Sequence, residues 1–296
     1  MQGWLIYAKK DALRNQSYID WFQEEATKEN ISLHLLIREE LHIGIKAGKL
    51  VWKYKGEVLS LPDFVVVRTV EPFLQTCLEK EGIPTFNSAT VSHITNDKRL
   101  TYIEVSKLGI PMVETYFASS HALPVQPPLP YPFVVKEARG RGGKGVYWIE
   151  KEEQWKNFQT NVPTTDLVIQ AADVQLGRDL RVFVLGKEIV AAILRKSDDD
   201  FRANYSLGGK AEVYSLTRNE RTMIQAIIDH FDFGLVGIDF LIGKDSRLLF
   251  NEIEDVVGSR ILSACTNINL LEKYVQWIKE EVLKRRNEPT PSPIKK

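Results

Sequence analysis

Asp239, Glu252 and Glu254 are three carboxylates in one short stretch, Leu235 to Glu254. Apolar runs Leu235–Ile242 and Arg247–Glu254 flank Gly243-Lys244-Asp245-Ser246, which is a β-hairpin signal. A two-residue loop at Lys244-Asp245 pairs Gly243 with Ser246 and sets Asp239 opposite Phe250. Phe250, Glu252 and Glu254 then share a face with Asp239, because side chains alternate along a strand. Asp239 and Glu252 become diagonal neighbours about 7–8 Å apart. Three carboxylates on a half-apolar face repel one another and lose hydration, so they need a counter-charge. Hard oxygens without His or Cys favour Mg²⁺ (or Mn²⁺) shared with a substrate phosphate. The competing reading is a solvated outer face of an edge hairpin. Apolar neighbours on both sides (Val236, Ile238 and Phe240; Leu235, Leu241, Leu248 and Phe250) favour the metal. A loop of odd length would break the shared face.

A second cluster is basic. Between the strand signals Phe133–Lys136 and Val146–Ile149 lie Gly140, Gly142, Gly143 and Gly145, with Arg139, Arg141 and Lys144 among them. Glycines let backbone amides approach an anion closely. With Lys136 entering it, the loop reads as a flap over phosphates; a plain flexible hairpin is the alternative. Its GxGxxG spacing is not a dinucleotide fingerprint, because it opens a strand and not a helix. No Gly-Lys-Ser/Thr follows, which excludes a Walker A loop. Asp232-Phe233-Gly234 spells DFG, but without a kinase catalytic loop it is coincidence. Asp97 caps a helix running to Leu108, closed by Gly109. Lys98 in its first turn opposes the favourable dipole arrangement, which suits a solvated lysine or one reaching for phosphate. Arg68 follows a DFVVV strand at the edge where parallel sheets bind ligands, or is a surface arginine.

Around these residues, strands at Gly3–Ala8, Ile31–Ile37, Asp63–Val67 and Ile83–Phe86 alternate with helices at Ser17–Lys28 and Glu71–Glu81. That alternation predicts a small parallel α/β domain. Asn87–Ile94 reads as a connector. Further on, Glu150–Phe158, Thr217–Phe231 and Asn269–Lys284 are amphipathic helices. Leu167–Ala171 is a strand, and Leu180–Leu185 with Glu188–Arg195 forms a tight hairpin around Gly186-Lys187. The 296 residues suit two or three compact units, and 44% hydrophobic content fills real cores. A net charge of zero gives no bulk attraction to nucleic acid or an anionic membrane. Two cysteines without CxxC spacing make no disulfide framework and fit a reducing, cytoplasmic setting. No apolar run reaches membrane-spanning length, and the N-terminus has no signal-peptide pattern. None of the five histidines has a ligand partner at helical spacing.

Taken in order, NDKRLT (96–101), PFVVKEARGRGGKGV (132–146), LVIQ (167–170), GRDLRVFVLGKEIVAAI (177–193), FRANYSLGGKAEV (201–213), LVGIDFL (235–241) and FNEIEDVVGSR (250–260) resemble the ATP-grasp superfamily. The resemblance is nearest to the RimK-type carboxylate–amine ligases. It implies an N-terminal α/β domain over 1–95, a lid subdomain with the glycine flap over 96–168, and a Mg/ATP subdomain over 169–286. The proline-rich tail 287–296 is expected to be disordered. The resemblance puts ATP between two antiparallel sheets. Lys98 and Lys136 match phosphate-contacting lysines, and Gly142 and Gly143 the flap. Gln170 and Ala171 match a hinge beside the adenine, Asp179 a ribose contact, and Arg202 and Asn204 a loop reaching the phosphates. Asp239, Glu252 and Glu254 match the metal positions. Glu254 departs from the family's Asn, and Asp255–Arg260 replaces a Pro-Gly turn. Arg260, like Arg68, is a candidate for a substrate carboxylate; an ion pair with Glu254 or Asp255 is the alternative for Arg260.

The implied reaction is an ADP-forming ligation of a carboxylate and an amine, with Lys136 and Arg202 on the transferring phosphoryl group. The substrates suggested are an amino acid such as glutamate and a peptide or small molecule, with a homo-oligomer compatible and no nucleic acid or membrane partner. An ATP-binding scaffold without turnover and a small-molecule kinase are the alternatives.

Overall fold

The computed structural model describes residues 1–143, 145–197 and 210–287. Two compact units partition the chain: one holds Met1–Ser92, Phe233–Leu235 and the segment from Asn267 on, the other His93–Asp232 and Val236–Thr266.

The first unit begins with β1 (Gln2–Tyr7), α1 (Lys9–Arg14), α2 (Gln16–Lys28) and β2 (Ser32–Ile37). There follow β3 (Leu41–Lys46), β4 (Lys49–Tyr54), β5 (Glu57–Val58), β6 (Phe64–Val67), α3 (Pro72–Lys80), β7 (Thr85–Phe86) and α4 (Ala89–Thr95). Strands β2, β1, β6 and β7 pair in parallel in that order, as the alternation of strands and helices predicts. Gly3 belongs to this sheet because a Cβ there would stand 2.3 Å from the Phe64 ring. The meander β3-β4-β5 departs from the sequence reading. Its first strand, LHIGIK, alternates apolar with polar residues but is mostly exposed. Its two loops, Ala47-Gly48 and Lys55-Gly56, have positive φ at both residues, as tight hairpins require. Leu41 and Trp52 bury against Trp4 and Leu36 in this unit's core. The connector expected at 87–94 is mostly the helix α4.

The second unit continues with α5 (Lys98–Ser106), β8 (Thr115–Ser119), β9 (Phe133–Glu137), β10 (Val146–Ile149), α6 (Glu152–Thr160) and β11 (Asp166–Ala171). Strands β10, β9, β11 and β8 form an antiparallel sheet in that order. Phe133, Val135, Leu167 and Ile169 pack on Trp155 and Phe158 of α6. Alternation sends Val134, Lys136 and Gln170 to the other face. Next come β12 (Val174–Leu185), β13 (Glu188–Lys196), β14 (Lys210–Val213), α7 (Arg218–His230), β15 (Leu235–Gly243), β16 (Leu248–Glu254) and α8 (Arg260–Cys265). Their five strands order as β14-β13-β12-β15-β16. Helix α7 starts on a capping box: Thr217 Oγ1 accepts from the Glu220 amide, while Glu220 accepts from the Thr217 amide. The last helix, α9 (Leu270–Asn287), returns to the first unit and packs on α2, with Tyr274 against Phe22 and Asn269 donating to Glu25.

The β15–β16 register corrects the sequence reading. The loop has three residues, Lys244 to Ser246, closed by the Gly243 amide on the Arg247 carbonyl at 2.8 Å, with Ser246 at φ 66°. Phe240 therefore faces Phe250. A bulge then intervenes, and Asp239 faces Glu252 directly, leaving Asn251 as the extra residue. Phe250 packs with Phe240 and Tyr102, not with the acids. No helix among the described residues is long and apolar enough to cross a membrane.

Candidate functional site

A cavity in the second unit gathers residues from both of its sheets and from α5. Asp97 caps α5 by accepting from the Arg99 amide at 3.1 Å, and the Arg99 side chain clasps the same carboxylate. Lys98, one residue on, reaches the cavity instead. Its Nζ donates to the Gly140 carbonyl at 2.6 Å and stands 3.3 Å from Glu252 Oε2. Strand β9 delivers Lys136, whose Nζ donates to Asn251 Oδ1 at 2.8 Å. Lys136 is half-buried and lines the cavity. Burial lowers its pKa to about 8, Lys98 pushes the same way, and Glu252 opposes. Its proton is therefore sensitive to an anion entering the cavity.

The glycine loop arches between β9 and β10, fastened by the Glu137 amide on the Gly145 carbonyl at 2.8 Å. Gly142, Gly143 and Gly145 all have positive φ, and a Cβ on Gly145 would lie 2.5 Å from Cδ of Glu137. Gly142 and Gly143 line the cavity. The predicted Lys144 falls outside the described residues. At the cavity's other wall stand Gln170 and Ala171 of β11. Gln170 Nε2 donates to Tyr102 Oη at 2.6 Å and to Thr115 Oγ1 at 3.1 Å, which fixes the side chain in a buried position.

Across the floor runs a row of buried charges. Asp179 on β12 pairs in register with Arg195 on β13. Arg195 Nη2 donates to Asp179 Oδ2 at 2.8 Å and to Asp239 Oδ2 at 2.7 Å. Arg181, two residues beyond Asp179 on the same strand face, donates from Nε and Nη2 to the two oxygens of Asp239 at 2.8 and 2.7 Å. Its Nη1 stands 2.7 Å from Glu254 Oε2, off the direction of a hydrogen bond, so this contact is ionic. Burial would raise the pKa of Asp239, but Arg181 and Arg195 outweigh it and hold the carboxyl below its ordinary value. Asp179 moves upward, because burial and the repulsion of Asp239 exceed the pull of Arg195.

Of the residues predicted from sequence, Lys98, Lys136, Gly142, Gly143, Gln170, Ala171, Asp179, Asp239 and Glu252 all line this cavity. Glu254 is joined to them through Arg181. Arg202 and Asn204 lie outside the described residues. Arg68 is in the first unit, with its Nε donating to Tyr7 Oη at 3.3 Å and its guanidinium 5.3 Å from the Tyr18 ring centre. Arg260 is exposed at the start of α8 and does not line the cavity. Glu254 pairs with Arg181, and Arg141 approaches Asp255 at 3.7 Å. Arg181, Arg195 and Asn251 were missed. The i, i+2 spacing of Asp179 and Arg181 was a usable signal for the first. The other two depend on bulges.

The fit of a divalent ion follows from the donors. Among the described residues no group of three His, Cys, Asp or Glu side chains is gathered for a metal. The predicted trio is instead divided by its cationic partners. Asp239 already accepts three hydrogen bonds, and Glu254 faces a guanidinium. Glu252 lines the cavity, and among the described residues its ion-pair partner is Lys98 at 3.3 Å. Hard oxygens of Glu252, with the remaining lone pair of Asp239 Oδ1, suit Mg²⁺.

A sequence profile of the RimK-like ATP-grasp domain matches residues 95–278, more than half of the chain. The chain belongs to the RimK-like ATP-grasp family. Relatives of this RimK-like chain include the glutamate–LysW ligase ArgX of Sulfurisphaera tokodaii, 28% identical over 77% of this chain and 86% of its own length. The α-aminoadipate–LysW ligase LysX of Saccharolobus solfataricus is 25% identical over 83% of this chain and 97% of its own. Among solved structures, a RimK-domain ATP-grasp protein of Sphaerobacter thermophilus superposes with a TM-score of 0.70 at 14% identity, covering 94% of this chain and 99% of that one. The ATP-grasp ligase PsnB, solved with Mg and ADP, gives 0.67 at 12% identity over 94% and 98%. At these identities the superpositions establish the fold.

Proposed function

We propose that this ATP-grasp ligase joins a carboxylate to an amine through an acyl phosphate, releasing ADP and phosphate. One observation carries the reading: Lys98 and Lys136, two cations from separate elements, meet the Asn251-Glu252 bulge under a glycine loop. Such a site suits a polyanionic tail, since the lysines, the flap glycines and the carboxylates line one volume. The lid is assigned to 96–168 and the nucleotide subdomain to 169–286. The base lies against Gln170 and Ala171, and the ribose near Asp179. Lys98, Lys136 and the amides at Gly142 and Gly143 hold the phosphates. Arg202 and Asn204 are assigned to the same phosphates by resemblance alone. Glu252 and Asp239 would hold Mg²⁺ or Mn²⁺, with Glu254 in the outer ring. The ion, when bound, neutralises phosphate charge and orients the tail.

The chain's own groups do the rest. Lys136, charged once an anion enters, stabilises the transferring phosphoryl group. Little side-chain acid–base chemistry is required, because positioning alone supplies up to about 7–11 kcal/mol. A closed flap keeps water from the acyl phosphate. ArgX and LysX are named for joining amino acids to the protein LysW, which supports an amino acid as the amine and a peptide or small-molecule carboxylate as its partner. Arg68 and Arg260 are the proposed contacts for substrate carboxylates. The test is a matrix of carboxylates and amines screened for ADP release, with hits identified by mass. Release that requires both partners is expected. Turnover of ATP that needs neither, or no ATP binding at all, defeats the assignment.

A further inference from the structure

We propose that the Arg181 guanidinium is a built-in second cation of this site, so that the chain takes one divalent ion with its nucleotide rather than two. The inference rests on the nucleotide-binding reading above. Phosphoryl-transfer sites with two ions use carboxylates to hold both, one at each side of the reacting phosphate. Here three acids are available: Asp239, Glu252 and Glu254. Arg181 has taken the space between two of them. Its fork holds both oxygens of Asp239 at 2.8 and 2.7 Å, and its third nitrogen stands 2.7 Å from Glu254 Oε2. Arg195 adds a third hydrogen bond to Asp239 at 2.7 Å.

A carboxylate offers about four lone-pair positions. Asp239 retains one, on Oδ1. Glu252, opposite it in register, lines the cavity and among the described residues is paired with Lys98 at 3.3 Å. An incoming ion therefore finds one open carboxylate and one adjacent lone pair, which is a single site. A second ion at Glu254 would sit against a positive charge already 2.7 Å from that carboxylate, and the two like charges repel. Arg181 cannot leave easily, because it is itself buried and a free buried guanidinium is unfavourable. Gly237 pairs with Glu254, and a Cβ there would lie 2.9 Å from Val257, so the glycine makes room for Val257, while Arg181 at 3.5 Å would be in ordinary contact. Fixed charge thus replaces an exchangeable ion.

The test counts Mn²⁺ by electron paramagnetic resonance on the full-length protein saturated with a β,γ-imido analogue of ATP. One Mn²⁺ per chain is expected for the wild type. Arg181→Gln uncovers Asp239 and Glu254 and is expected to retain two, with the spin–spin broadening of a close pair. Two ions in the wild type overturn the proposal while leaving the nucleotide reading intact. So does a single ion in an Arg181→Gln variant that keeps wild-type circular dichroism and analogue binding. If that variant does not fold, the wild-type count still decides. Failure of the wild type to retain the analogue or any Mn²⁺ rejects the nucleotide reading and this inference together.

Discussion

The hairpins β12–β13 and β15–β16 lie in one five-stranded sheet, and each carries one extra residue. In the first, the Gly186-Lys187 loop pairs Leu185 with Glu188, and simple counting would set Asp179 opposite Leu194. The register shift after Val184–Ile189 leaves Val190 over, so Asp179 meets Arg195. In the second, a three-residue loop would put Glu252 on the face opposite Asp239. Asn251 is left over there, and Glu252 returns beside Asp239. The two bulges do opposite electrostatic work. One places a cation against a carboxylate and closes a buried pair. The other brings two carboxylates together, with Glu252 and the remaining lone pair of Asp239 Oδ1 facing the cavity. A row built only of the first kind would be structural; the second kind creates the demand for a ligand.

The largest expected effect tests the carboxylate shared by both hairpins. Asp239→Asn should cut ADP formation about 100–1000-fold, with circular dichroism unchanged; near-normal turnover would remove the site's chemical basis. Arg195→Met tests the first hairpin alone. It leaves Asp179 and one side of Asp239 uncompensated, and denaturant unfolding should show a loss of about 3–5 kcal/mol. A loss within a few tenths would make the Asp179–Arg195 pair incidental. Asn251→Ala tests the second hairpin's extra residue. It strips the acceptor from a desolvated ammonium and should weaken nucleotide binding by about 1–3 kcal/mol by calorimetry, while global stability changes less than in Arg195→Met.

The smallest effect is on pH. Lys136 in the free protein loses its proton as pH rises through about 8, whereas an anion beside it holds the proton on. Nucleotide binding should weaken above pH 8 and take up a proton there. Calorimetry in buffers of different ionisation enthalpy reads this directly. In the same range the unfolded chain binds more protons than the folded one, so this group makes stability rise with pH up to its ordinary ammonium value. Asn251→Ala should move the onset to lower pH. A pH-independent affinity between 7 and 10 would show that Lys136 does not meet the phosphates.

Much of this was legible in the chain. The alternating βα pattern gave the parallel sheet, and Asp97 caps α5 as expected, although the helix ends at Ser106, short of Gly109. Four glycines between two strand signals marked the loop. The meander β3-β5 is absent from the sequence reading although Leu41, Ile43 and Ile45 alternate with His42, Gly44 and Lys46 and its Ala-Gly and Lys-Gly loops are visible. The expected convergence of Asp239 with Glu252 holds in the structure, but by a route other than the two-residue loop that suggested it.

Residue types and spacing along the chain by themselves determined which groups enter the site: hard oxygens, lysines and glycines, carried on strands and one capped helix. Those properties are local, since propensity and side-chain chemistry act within a few residues. Which groups neutralise one another was decided only by the folded sheet. A single extra residue in a ladder reverses the face of everything beyond it, and whether a bulge forms depends on packing against neighbouring strands. Arg181 and Arg195 could therefore be assigned to Asp239, and Glu252 left open to the cavity, only once the strands stood side by side.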